Sequence, residues 1–332
     1  MVAQNTKGSN SIEGIHSSVD DVLAVMGNQT PQETTEADAA DIRGYQQAMT
    51  YVLELSNDAT AGIRHGISSD FLCALHFMLT SSHLEARPGR PRLGQVYVVD
   101  ESNGETLYEA PKASQLPKLM DELTTGVNLA LDEATDGNIV TAAMAHFNCV
   151  AIHPFKDGNG RVSRILQSFV LGQTTSTVPP EFMSVEEYLG AHTSDYYAIL
   201  QLTHGRAFKP KTADTRAWVR FILDAHVEQA TLRKQQAIRA EHVWSRLLTL
   251  QGELPVLSTL ERALPALFDA ICGIQVRTST YVDSVTESGE SIAEQTATRD
   301  IRRLLDAGLL VSHGQTRGRF YTASEYLMNA VL

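Results

Sequence analysis

Between Ala151 and Leu166 the chain reads AIHPFKDGNGRVSRIL. Within it, His153 to Arg164 supply an imidazole, a carboxylate, two glycines around an asparagine, and two arginines. His153 follows an apolar run, and an imidazole can accept a proton near neutral pH. Gly158 and Gly160 let the backbone turn sharply at Asn159 and present its N–H groups. A helix that opens on such a turn is an anion site, suited above all to phosphate. Arg161 and Arg164 are three apart, so they share a helix face, and guanidinium forks match phosphate oxygens. A carboxylate at Asp157 would repel phosphates unless it held a metal, and magnesium takes one or two carboxylates plus substrate phosphates. Each feature alone is ordinary: Gly-Asn-Gly is usually a turn, and paired arginines are often surface ion-pair partners. In this order and spacing they describe a base beside a cradle for a metal-bound polyphosphate.

The elements that must position this stretch are mostly helical. Ile42, Tyr45, Ala48/Met49, Val52 and Leu55 recur every three or four residues, which predicts a helix over 37–55. SSDFLCALHFML opens on a Ser/Asp cap signal and continues as a buried helix. Further helices are expected at 19–25, 114–133, 139–151 and 161–171, two short ones within SVEEYLGAHTSDYYAILQLTHG, and a long one from about 215 towards 250. Pro179-Pro180 marks a loop. Between 93 and 109, β-branched residues on both sides of Asn103-Gly104 predict a β-hairpin. Residues 1–18 read, by composition, as a polar tail.

The signature HPFKDGNGRVSR resembles that of Fic domain proteins, His-x-Phe-x-Asp/Glu-Gly-Asn-Gly-Arg-x-x-Arg, with every specified position matched. The resemblance extends over most of residues 9–250. It implies a mainly α fold, a Fic-type helical core with a β-hairpin flap, and an enzyme that transfers AMP from ATP to a Ser, Thr or Tyr hydroxyl of a target protein. It implies His153 as general base and Asp157 as the Mg²⁺ ligand. Gly158, Asn159 and Gly160 would surround the α-phosphate, Arg161 would meet the β-phosphate, and Arg164 the γ-phosphate. The target protein would pair its backbone with the flap. Ser9, Glu13 and Gly14 fit the family's inhibitory pattern, Ser/Thr-x-x-x-Glu-Gly/Asn. Glu13 paired to Arg164 would then occupy the γ-phosphate position and make the enzyme autoinhibited. Phosphorylating members carry lysine where this chain has Gly160 and lack the second arginine, which favours AMP transfer here. Removal of AMP from a modified target stays open, as does a homodimer.

Past Gly252 the texture changes to helix, turn, helix, strand, turn, strand, the order of a winged helix-turn-helix domain over 255–332. Ser291 and Glu294 read as a capping box on its second helix, which Gly308 ends. Residues 1–36 then form an N-terminal inhibitory segment and 37–250 the catalytic domain with a connecting helix. Arg299, Arg302, Arg303, Arg317 and Arg319 could face DNA. However, Ser291–Tyr321 holds five Arg and three Asp/Glu, a small excess in a chain of net charge −12. DNA binding usually rests on several phosphate contacts, so a packing or protein-binding module is the favoured reading. A second reading of the whole chain is a winged-helix regulator whose core only senses nucleotide, although sensing needs no base at His153.

The 332 residues have 43% hydrophobic content, enough for a sizeable core. No apolar run approaches the roughly 20 residues of a membrane helix, and the polar start MVAQNTKGSN lacks a signal region, so a cytoplasmic protein is expected. Cys73, Cys149 and Cys272 stand far apart in apolar contexts and read as small buried hydrophobes.

Overall fold

The apolar run that ends at His153 and the helix that follows it form the centre of a mainly helical structure. The computed structural model describes residues 2–100, 103–133, 139–173, 184–208, 213–315 and 318–332. Pro179-Pro180 and Arg317 lie outside them. The chain divides into two compact units, Met1–Thr231 and Leu232–Leu332.

In the first unit the helices are α1 (Val2–Ile12), α2 (Val19–Met26), α3 (Glu36–Thr60), α4 (Ser69–Thr80), α5 (Leu116–Glu133), α6 (Ile139–Ile152), α7 (Asn159–Gly172), α8 (Glu186–Ala191) and α9 (Thr193–His204). A long helix α10 (Arg216–Glu253) begins here and runs past the division. The core packs Tyr45, Met49 and Val52 of α3 and Leu72, Leu75 and Leu79 of α4 against Val162, Ile165 and Phe169 of α7. These are the positions that helical periodicity places on one face. Helix α7 is buried nearly all round, so every side chain it turns inward must find a partner.

The N-terminal residues, a polar tail by composition but an inhibitory helix by the family resemblance, form helix α1, with Asn5, Thr6, Ser9 and Asn10 buried. Composition misread it because its buried face is polar rather than apolar. It lies across α8 at a glycine crossing. A Cβ on Gly8 would stand 2.4 Å from the Glu186 carbonyl oxygen, and one on Gly190 would stand 2.6 Å from the Gly8 carbonyl oxygen. Only glycine allows the two backbones this approach.

The flap is a hairpin of β1 (Tyr97–Val99) and β2 (Thr106–Glu109). Asn103-Gly104 is not a two-residue turn. The Asp100 amide donates to the Glu105 carbonyl, and Asn103 Oδ1 accepts from the Glu105 amide at 2.7 Å. On its other side β2 meets Ala207, with the Glu109 amide bonded to Arg206 and the Phe208 amide to Glu109. That leaves β1 as the edge of the hairpin without a strand beside it among the described residues.

The second unit contains α11 (Pro255–Ser258), α12 (Leu264–Ile271), α13 (Thr278–Glu287), α14 (Glu294–Asp306), a hairpin of β3 (Leu310–His313) and β4 (Phe320–Ala323), and a final helix α15 (Glu325–Val331). Its own core joins Leu267, Tyr281, Ile301, Leu304 and Leu327. The Ser291/Glu294 capping box does not form: α14 starts at Glu294 behind Ala293, with no side-chain cap. Glu294 therefore sits in the first turn, where a carboxylate favours the helix dipole. Cys272 is exposed, unlike buried Cys149 and half-buried Cys73, because it follows the last turn of α12 rather than lying on its apolar face. No helix among the described residues is long and apolar enough to cross a membrane.

Candidate active site

His153 is the first residue after α6 and has a left-handed backbone, φ 51°. Left-handed geometry is costly for a non-glycine residue and persists only where its surroundings hold it. Arg92 does much of the holding. Its Nε donates to the His153 carbonyl at 2.8 Å, its Nη1 to Gly94 at 2.7 Å and its Nη2 to Pro111 at 2.6 Å. Its amide also donates to the Pro154 carbonyl. One buried guanidinium thus ties the His153 turn to both ends of the flap. Tyr108 of β2 adds a hydrogen bond to the Ala151 carbonyl at 2.6 Å. Nothing in the sequence around Arg92 announces this role.

The His153 ring lies with Nδ1 3.3 Å from the Val150 carbonyl, a contact that requires the proton on Nδ1 and leaves a lone pair on Nε2. Burial pushes the ring down to about 4, the Val150 bond opposing and nearby Arg92 assisting. At neutral pH the imidazole is therefore unprotonated, the state a base requires.

The turn after Phe155 is held by its neighbours. Asn159 Oδ1 accepts from the Phe155 amide at 2.8 Å, and its Nδ2 donates to the Phe155 carbonyl at 3.0 Å. The Asn159 side chain is thus fully engaged in closing the turn, and the anion-facing groups at this point are backbone amides. Gly158 takes φ 76° as the N-cap of α7, and no side chain caps that helix. Its first-turn N–H groups therefore have no side-chain cap, the arrangement an anion site requires. His76 of α4 stacks on Phe155 with centroids 3.9 Å apart. Its Nδ1 accepts from the Gly89 amide at 3.0 Å, so its Nε2 carries the proton that reaches the Asp157 carbonyl at 3.1 Å. A histidine on the buried face of α4 is the legible signal for this residue. His146 sits deeper, between Gln167 Oε1 at 2.7 Å and the Tyr196 hydroxyl at 2.9 Å.

Arg161 and Arg164 are both buried, at 4% and 1% exposure. Arg161 Nη1 meets Asp41 Oδ1 at 2.5 Å, and its Nη2 lies 3.8 Å from Asp157 Oδ2. Arg164 Nε donates to Ser9 Oγ at 2.9 Å, and its Nη2 donates to the Ser9 carbonyl at 3.0 Å and Glu13 Oε1 at 2.8 Å. Burial works to lower the Arg164 pKa, yet Glu13 and the other negative groups around it hold it above the ordinary arginine value. Glu13 approaches over Gly160, where a Cβ would stand 2.6 Å from Glu13 Oε1 and 3.0 Å from Arg164 Nη1. Gly14 completes the turn after α1, its amide bonded to Ser11. Behind Arg164, the Tyr45 hydroxyl and Ser184 both donate to Glu186 Oε2. Burial raises Glu186 to about 7, with Tyr45 and Arg164 opposing.

These burials set an acid sensitivity. His76 and His153 are pushed to about 4 and His146 to about 3, against 6.5 for an ordinary histidine, each chiefly by burial. Between pH 4 and 6.5 the unfolded chain binds the extra protons, so these three groups make stability climb with pH. Asp21, with a lowered pKa, acts in the same direction. Glu186, at about 7, and Asp269, at about 6, take protons when folded and act in the opposite sense. With three histidines prevailing, the melting temperature is expected to rise from pH 4.5 to 6.5. A calorimetric series that stays flat or falls over that range contradicts the assignment.

Residues 66–171 match the model of the Fic/DOC family. Over 63% of its length the chain is 29% identical to the protein adenylyltransferase fic-1 of Caenorhabditis briggsae, covering 36% of that protein. It is 26% identical over 69% of its length to protein adenylyltransferase Fic of Nematostella vectensis, covering 49% of it. The chain therefore spans half or less of these curated relatives. Among solved structures, a Fic family protein from Desulfovibrio desulfuricans superposes with TM-score 0.58 at 18% identity, over 98% of this chain and 86% of the other. A Fic domain signaling protein from Bacteroides thetaiotaomicron gives 0.57 at 20% identity, over 70% and 84%. These likenesses show a shared fold.

Proposed function

We propose that this chain, which carries a Fic/DOC-family domain at residues 66–171, is a protein adenylyltransferase that uses ATP to place AMP on a target hydroxyl. The observation that carries the reading is the uncapped start of α7 beside an unprotonated His153, with two buried arginines on the same helix. The target hydroxyl gives its proton to His153 Nε2, its oxygen attacks the α-phosphorus, and pyrophosphate leaves. The chain's own part is positioning and charge stabilisation. Backbone amides at the start of α7 hold the α-phosphate region, Arg161 meets the β-phosphate and Arg164 the γ-phosphate.

Asp157, with a side chain 62% exposed, is the residue that would hold Mg²⁺. No group of three or more His, Cys, Asp or Glu among the described residues could hold a metal by itself. One exposed carboxylate fits an ion that takes its other ligands from phosphates and water. Bound there, the ion would neutralise charge on the triphosphate.

Docking of the target along the flap is supported by the free edge of β1, since β2 is already bridged to Ala207. Inhibition by Glu13 is supported by its ion pair with Arg164. The test of the activity is intact-mass spectrometry of the Glu13→Gly protein incubated with ATP and Mg²⁺. A gain of one AMP on protein supports it, and no gain on the protein or on any added target overturns it.

The glycine crossing makes a separate prediction. Gly8→Val places a side chain against the Glu186 backbone, which cannot yield as a flexible side chain would. It is expected to undock α1 and raise incorporation towards that of Glu13→Gly with Glu13 still present. Unchanged incorporation in a folded Gly8→Val protein would detach α1 from the inhibition.

For the C-terminal unit the packing-module reading continues to be favoured. Exposed Arg299 and Arg302 on α14 share their helix with Glu294 and Asp306, and Arg303 is engaged with Thr259 at 2.5 Å. Mobility shift with duplex DNA is expected to show no retardation at physiological salt.

A further inference from the structure

Arg161 and Arg164 differ in which part of the guanidinium is engaged. In Arg164, Nε and Nη2 are both taken by α1, through Ser9 and Glu13. In Arg161 the only nitrogen hydrogen-bonded among the described residues is Nη1, at 2.5 Å from Asp41 Oδ1. Its Nε is buried without a partner, and Nη2 stands 3.8 Å from Asp157, beyond hydrogen-bond reach. Nε and Nη2 form one edge of the guanidinium, the fork that grips two oxygens of a single oxyanion. Arg161 is therefore held by one nitrogen while its two-toothed edge is left without a hydrogen-bond partner among the described residues.

The holding residue comes from α3, 120 residues earlier in the chain. Asp41 is itself buried, at 7% exposure. Its other oxygen, Oδ2, meets His83 Nε2 at 3.2 Å, and His83 Nδ1 faces Glu85 Oε1 at 3.7 Å. Both oxygens of the carboxylate are thus fixed. A fixed carboxylate on one guanidinium nitrogen stops rotation of the plane and sets the direction of the opposite edge. It also compensates a buried charge whenever the phosphate is absent.

We propose that Asp41, steadied by His83, is a positioning residue that aims the unpaired edge of Arg161 at the second phosphate of the bound nucleotide. The inference rests on the nucleotide reading of the site given above. It makes a selective claim: Asp41 matters for ligands with a β-phosphate and not for those without one.

The test uses the full chain in the Glu13→Gly form, with Mg²⁺, and measures binding of ATP, ADP and AMP by calorimetry. Asp41→Asn keeps the size and an acceptor but loses the charge. It is expected to weaken ADP and ATP by about tenfold, the worth of one charge-assisted hydrogen bond, and to leave AMP unchanged. Asp41→Glu is expected to restore most of the loss. In turnover, Asp41→Asn should raise KM for ATP more than it lowers kcat. Unchanged ADP affinity overturns the proposal. So does an equal loss of AMP, ADP and ATP, which would mean that Asp41 only supports the fold. If the Glu13→Gly parent itself binds none of the three nucleotides, the nucleotide reading fails and this inference fails with it. If the parent binds all three and Asp41→Asn is not selective, the inference alone fails.

Discussion

Replacing Glu13 with glycine is expected to raise transfer of AMP from ATP by roughly 10- to 100-fold. The figure follows from what Glu13 does to Arg164. Its carboxylate occupies Nη2 at 2.8 Å, with the guanidinium buried and the Glu13 side chain 26% exposed. A hydrogen bond to a charged group of this kind is worth about 1.5–3 kcal/mol, and each 1.36 kcal/mol is tenfold. On the proposed nucleotide reading, ATP would have to displace that carboxylate before its γ-phosphate could reach the guanidinium, so its productive pose would be disfavoured by about that much. Ser9 continues to hold Arg164 after the substitution, through Nε at 2.9 Å, so the arginine keeps its place. Glu13→Gln should fall between, since it keeps an acceptor and loses the charge. Equal incorporation of labelled AMP by wild-type and Glu13→Gly proteins would remove the inhibitory role.

The second large effect is at His153. His153→Ala in the Glu13→Gly background is expected to cut transfer by about 10²–10⁴-fold, the usual range for a lost general base. Nucleotide affinity should be preserved, because the groups proposed to bind phosphate belong to α7. A chain that only senses nucleotide would keep its regulation unchanged in His153→Ala, whereas undiminished transfer by this variant would remove His153 as the base. The pH profile adds a signature. With the ring pushed down to about 4, the base is unprotonated from about pH 5 upwards. Transfer should therefore hold level between pH 6 and 8 and fall only as pH approaches 4. A fall centred near the ordinary histidine value of 6.5 would show a ring exposed to solvent.

The two effects draw on different parts of the sequence. Both the signature and the hairpin were legible, because each depends on neighbours in the chain. Gly158 at φ 76° and the helix that follows it are local events, and so is the periodicity of α3 and α4. Asp41 could have been read as well. With Tyr45, Ala48 and Val52 it falls at i, i+4, i+7 and i+11, which puts a carboxylate on a core stripe. A charge there asks for a buried partner. Arg92 offered no such hint, since its three acceptors are backbone carbonyls that carry no side-chain signature. The N-terminal helix was missed by composition because its buried face is polar and its contact with α8 is made through glycine.

From the residues alone came the cradle: a base, a turn and paired guanidinium groups, all set by covalent neighbours and helical repeat. Which groups complete those guanidinium ions was decided by folding. Ser9 reaches Arg164 across 155 residues, Asp41 reaches Arg161 across 120, and Tyr45 reaches Glu186 across 141. Periodicity says which way a side chain faces, but not what it meets. Pairing over such spans is set by how helices cross, and in this chain one decisive crossing depends on two glycines, Gly8 and Gly190.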